Sequence, residues 1–206
     1  MPDLAILAVF IPTFFFVSIT PGMCMTLAMT LGMSVGVRRT LWMMIGEVIG
    51  VALVAIAAVI GVASVMLNYP SVFQVFKWAG GAYLAYLGIK MCFAHDKVTT
   101  EDNPTFTSRG KLASQGFITA IANPKGWAFM VTLLPPFISV TQSLSGQLVV
   151  LVSLIMFSEF LCMLIYAAGG KSLRLFLNRG NNIRWMNRIA GSLLVGLGCW
   201  LAFIPT

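Results

Sequence analysis

The chain is poor in charge. Of its 206 residues only 9% are charged, six are acidic, and one, His95, is a histidine. A soluble domain carries about 25% charged residues. This composition excludes an ordinary cytosolic enzyme, and its apolar excess excludes a disordered chain. Cysteine is also scarce. Cys24, Cys92, Cys162 and Cys199 each stand alone in apolar stretches with no CxxC pair. That excludes a disulfide-stapled secreted domain and reads as buried thiols. HExxH and GxSxG are absent, and His95 falls in a hydrophilic linker. No nucleophile–base pair emerges, so an enzyme is not expected. The first residues, Met1 to Leu4, lack a basic run, which argues against a cleaved signal peptide.

What the chain has is hydrophobicity: 59% apolar residues and a mean hydropathy of +0.93. The expected fold class is an all-α polytopic membrane protein, with room for about six spans of ~20–25 residues. From Leu4 to Val37 no residue is charged. As one helix that run would measure roughly 50 Å, too long for an upright span. Pro12 and Thr20-Pro21-Gly22 interrupt it, giving a span over 4–19 and a shorter segment to Met33. Further spans are expected over 40–67, 72–93, 112–140, 148–170 and 189–204. The fourth of these six is broken at Asn123-Pro124-Lys125 and again at Pro135-Pro136, and a basic loop covers 171–188. Residues 96–111 form a hydrophilic linker between two units of one membrane domain, 1–95 and 112–206.

The net charge of +7 points to topology rather than nucleic acid. Eleven of the thirteen basic residues cluster at Arg38/Arg39, at Lys90, Lys97, Arg109 and Lys111, and at Lys171, Arg174, Arg179, Arg184 and Arg188. The positive-inside rule makes these the cytoplasmic loops and leaves both termini outside.

The two units echo each other. Pro21 corresponds to Pro124, Glu47 to Glu159, and the Gly81–Gly88 spacing to Gly191–Gly198, at offsets of 103, 112 and 110 residues. Three spans per unit would make the second inverted relative to the first. That is the repeat arrangement of secondary transporters, which hold substrate near the midplane at broken helices.

Glu47, Lys125 and Glu159 are the charges well inside apolar stretches. Each costs about 2.5–3.5 kcal/mol at a bilayer centre, so such groups face cavities, pair, or handle ions. Helical spacing puts Glu47 on a face with Gly50, Val54, Ala57, Ala58 and Gly61, and Glu159 with Cys162, Tyr166, Gly169 and Gly170. Prolines at the breaks free backbone carbonyls that would attract cations, while helix N-termini attract carboxylates. The candidate substrate or proton sites are therefore Glu47, Glu159, Lys125, Asn123 and Tyr166, with the breaks at Pro21, Gly22 and Pro124. They suit a zwitterionic solute, with an ammonium at a glutamate and a carboxylate at Lys125 or free amides. The same glutamates could instead carry a proton.

Two stretches carry a resemblance: ITPGMCMTLAMTLGMSVGVRRTLWMMIGEVIG (19–50) and GFITAIANPKGWAFMVTLLPPF (116–137), with WAGGAYLAYLGIKM (78–91) in the expected order between them. Together they resemble the LysE/RhtB family of amino-acid exporters. Pro21 and Gly22 match the family's Pro-Gly-Pro, with Met23 in place of the second proline. Cys24 stands where a polar residue is common, and Pro136 where Gln is frequent. The resemblance implies six spans in the bacterial inner membrane and export of amino acids or their derivatives. It further implies coupling to the proton-motive force, with no cofactor. The loss of polar groups at 23–24 suggests a more apolar or unusual amino acid. Protons, a small zwitterion and the bilayer are the expected partners, and a homo-oligomer stays open. Two alternatives remain at this point. Glu47, Glu159 and Cys24 could serve a metal-cation exporter. Cys24 beside a proline could serve a membrane thiol–disulfide carrier, although Gly126 and Trp127 stand where a second cysteine would be needed.

Overall fold

The computed structural model describes residues 4–68, 70–94, 108–134, 137–138, 143–179 and 181–203. Among these it is helical: α1 Leu4–Ile19, α2 Met23–Ser34, α3 Val37–Asn68, α4 Pro70–Phe93, α5 Arg109–Ile121, α6 Pro124–Leu133, α7 Leu144–Asn178 and α8 Asn182–Phe203. By length and hydropathy, α3 (residues 37–61) and α7 could each cross a bilayer, and the bent pair α1–α2 makes a third candidate. His95, most of the 96–111 linker and Pro135-Pro136 lie outside the described residues.

The helices follow local chemistry, with four departures from the sequence reading. Pro12 does not interrupt α1. The Thr13 hydroxyl donates to the Val9 carbonyl at 2.8 Å, one of several such local bonds that keep hydroxyls satisfied inside helices. The stretch 171–188 is not a loop. α7 continues past a kink at Gly170, whose φ of +40° only glycine adopts without strain, and α8 begins at Asn182. Cys199 is exposed and Cys92 only half-buried, so of the four free thiols Cys24 and Cys162 alone are buried. On α3, Glu47, Gly50, Val54 and Ala58 are buried as the spacing predicted, but Ala57 and Gly61 face outward.

Small residues let the helices meet backbone to backbone. A Cβ at Gly88 would run into the Gly191 carbonyl oxygen, and one at Gly198 into the Gly81 carbonyl oxygen. The two Gly-x6-Gly spacings thus face each other across an antiparallel α4–α8 pair. α3 and α5 approach as closely, Gly46 against Ala113 and Gly116 against Met43. α2 meets α7 at Gly32 and Ala167. These contacts hold two apolar clusters in register. One centres on Phe10, Phe14, Phe137, Leu151 and Leu194, the other on Met29, Met43, Met44, Met163 and Tyr166.

Overpacking a tight contact costs about 1–3 kcal/mol or more. Gly191→Leu should therefore lower the melting temperature in detergent sharply. Gly61→Ala, whose Cβ meets nothing within 4 Å, should leave it unchanged. Equal melting of both variants would contradict the α4–α8 contact.

Candidate functional site

Both helix breaks are built by proline in different ways. At the first, Pro21 keeps Thr20 out of the helical region, α1 stops at Ile19, and the path bends by 56° into α2. Gly22 caps α2 with an extended backbone and no side chain, so no side-chain acceptor meets the first-turn N–H groups of α2. At the second break Asn123 is a working cap. Its Oδ1 accepts the Lys125 N–H at 3.1 Å. Pro124 takes the first helical position, where no donor is needed.

The last carbonyl of each helix before a break has a protein donor. Tyr166 on α7 donates its hydroxyl to the Ile19 carbonyl at 2.7 Å, and Trp127 on α6 donates Nε1 to the Ile121 carbonyl at 2.8 Å. The expectation that freed carbonyls draw a cation is not met at these two positions. Tyr166 accordingly stands outside the cavity lining and supports the first break.

Between the breaks lies a cavity. Glu47 of α3, Glu159 of α7, Lys125, Gly126 and Asn123 at the start of α6, and Gly22, Met23 and Cys24 at the start of α2 all line it. Ser18 and Thr20 join from the first break, and Phe14, Val17, Val51, Val54, Phe129 and Met130 supply apolar wall. About 60 Å³ is open to the centres of water molecules, room for a few waters at roughly 10–15 Å³ each. All three intramembrane charges therefore meet, as do Asn123 and Gly22.

The polar groups are unequally satisfied. Ser18 Oγ donates to Glu159 Oε1 at 2.8 Å. Glu159 is also in electrostatic reach of the Lys125 ammonium. That ammonium lies over the first break, 3.9 Å from where a Cβ on Gly22 would stand. Asn123 Nδ2 donates to Cys24 Sγ at 3.7 Å, tying the two breaks together. Glu47 is 1% exposed. The Cys24 thiol is a polar neighbour, but no donor meets either carboxyl oxygen in hydrogen-bonding geometry. A carboxylate buried in that way is costly unless a proton or a cation joins it. Among the described residues no three or more His, Cys, Asp or Glu side chains gather as a metal site would need.

Ser18 and Thr20 were missed in the sequence reading. The available signal was their place as the last hydroxyls before Pro21 in a run otherwise almost wholly apolar.

Comparison with known proteins finds relatives over most of the chain. Residues 15–203 match the family profile described as LysE type translocator. A homoserine/homoserine lactone efflux protein of Salmonella typhimurium is 25% identical over 185 residues, 90% of each chain. A leucine efflux protein of Enterobacter sp. is 25% identical over 194 residues, 91% of this chain and 90% of its own. An uncharacterized membrane protein of Vibrio cholerae is 29% identical over 185 residues, again 90% of each. No solved structure matches.

Tyr166→Phe removes the donor to a carbonyl in the buried break and should cost about 1–3 kcal/mol. The expected result is a lower melting temperature in detergent. Trp127→Phe should cost less, because Trp127 is 38% exposed. A Tyr166→Phe protein as stable as the parent would show that this bond does not hold the break.

Proposed function

The chain belongs to the LysE type translocator family, and from that premise we propose that it exports amino acids with uncharged side chains from the cytoplasm, driven by proton antiport. The observation that carries this reading is the meeting of Glu47, Glu159 and Lys125 in one cavity between two helix breaks, with the Glu47 carboxyl lacking a donor.

The chemistry is that of a zwitterion. The substrate ammonium pairs with Glu47, the one acid there without a protein donor. Its carboxylate lies between the Lys125 ammonium and the first-turn N–H groups of α2, which no side chain caps. The substrate side chain falls on the apolar wall of Phe14, Val17, Phe129 and Met130. That wall offers no further charge, which disfavours a basic or acidic side chain. Homoserine and leucine, in the names of two relatives, are both amino acids with uncharged side chains. The cavity has room for a few waters only, so substrate entry requires the helices around the breaks to part.

Glu159 is the proton carrier in this reading. In one facing state Ser18 ties α1 to α7 through Glu159; a change in the protonation of Glu159 loosens that tie and biases the other state. Each proton moving through 100 mV supplies about 2.3 kcal/mol. Six spans in two inverted triple-helix repeats frame this cycle, with basic loops in the cytoplasm and both termini outside the inner membrane. The antiparallel meeting of Gly81–Gly88 with Gly191–Gly198 supports that framing.

The substrate would be found by comparing metabolites in medium from overexpressing and deletion cells. An uncharged-side-chain amino acid should accumulate outside. Accumulation of a metal or a lysine-like compound instead would overturn the assignment. With that substrate, Glu47→Gln and Lys125→Met should each lower efflux at least tenfold at equal membrane abundance. In vesicles Glu159→Gln should lose acceleration by a proton gradient yet keep substrate exchange. Undiminished gradient-driven efflux would remove Glu159 from the coupling step.

A further inference from the structure

A second concavity lies on the outer face of the bundle, between α1 and α8. It is larger than the central cavity, about 710 Å³, and almost wholly apolar, with Val9, Ile189, Leu193 and Gly196 along its length. Gly196 leaves an open slot, since a Cβ there would meet nothing within 4 Å. Arg188 lines the same groove, about 13 Å along α8 from Leu197 at 1.5 Å per residue. Its guanidinium sits 5.9 Å from the ring centroid of Trp185, and Trp185 is 61% exposed.

Among the described residues the charge at this mouth has no acidic partner. The acids among the described residues are Glu47 and Glu159, and both line the central cavity. Arg174, Arg179 and Arg184 lie within fifteen residues before Arg188 and add to the positive field. An indole beside a guanidinium at the end of an apolar slot is the pattern of a membrane-interface anchor, where the indole sits at headgroup level. A slot open to the hydrocarbon is filled by acyl chain, and a basic mouth selects the headgroup above it.

We propose that this groove is a binding site for an anionic phospholipid of the bilayer, with one acyl chain along Ile189, Leu193 and Gly196 and the phosphate on Arg188. The site is independent of which solute crosses the central cavity.

Native mass spectrometry of the detergent-purified protein tests this with two probes of equal chain length, phosphatidylglycerol and phosphatidylcholine. The parent should retain phosphatidylglycerol at least fivefold over phosphatidylcholine. Arg188→Gln should abolish that preference while some lipid of either kind stays bound. Gly196→Leu should fill the slot and reduce retention of both lipids. Equal retention of the two lipids by the parent, or a preference untouched by Arg188→Gln, would overturn the proposal. So would efficient disulfide dimers of Ser192→Cys formed in bilayers, since a second copy would then occupy the groove. If Gly196→Leu does not fold, the Arg188→Gln comparison decides alone.

Discussion

In hydrocarbon a backbone carbonyl without a donor costs several kcal/mol, and a helix end leaves several, among them those of Ile19 and Ile121 at the two breaks of this chain. The first is answered from another helix, by Tyr166 on α7, and the second from the following turn, by Trp127 on α6. Once both carbonyls are satisfied, irregular backbone can persist deep in the bundle. That persistence places the N-terminal turns of α2 and α6 at one cavity. The charged residues then have somewhere to go that is neither lipid nor close-packed core.

The glycines and alanines do the complementary work. Without side chains at Gly46, Gly88, Gly116 and Gly191, neighbouring helices meet through their backbones. In a bilayer there is little hydrophobic force to draw helices together, so close van der Waals approach must supply the association. The α3–α5 contact also positions the cavity. Gly116 of α5 packs beside Glu47 on α3, which brings the second break up to the acid of the first unit. The cross-bond from Asn123 to Cys24 completes this link between the breaks. Cys24 is the soft acceptor of that bond.

The cavity divides its polar groups into tethered and untethered ones. Glu159 is held by Ser18 and faces Lys125, while Glu47 waits without a donor. Two acids and one base leave one carboxyl in excess of the lysine, which suits a zwitterion accompanied by a proton. The sequence reading had placed both glutamates on inward faces and had named Lys125 and Asn123. It could not say that Tyr166 would support backbone and not line the site, nor that Ser18 would orient Glu159. Those assignments depend on which residue of α7 faces which residue of α1, and no local spacing encodes that.

Composition and patterning alone make the chain helical and strongly apolar, because runs with almost no charge are stable only when buried or in lipid. Proline marks the breaks at Pro21 and Pro124, because it acts on its own backbone and on its immediate neighbour, but Pro12 lies inside α1 and the kink at Gly170 has no proline. The sequence also singled out the buried charges, because a lone charge in an apolar run is conspicuous wherever the run goes. That two breaks about a hundred residues apart share one cavity, that the paired glycine spacings face each other, and that neither Glu47 carboxyl oxygen meets a donor among the described residues emerge only in the folded bundle. Each of these depends on contacts between distant helices, and such contacts are set by side-chain shape across the whole bundle.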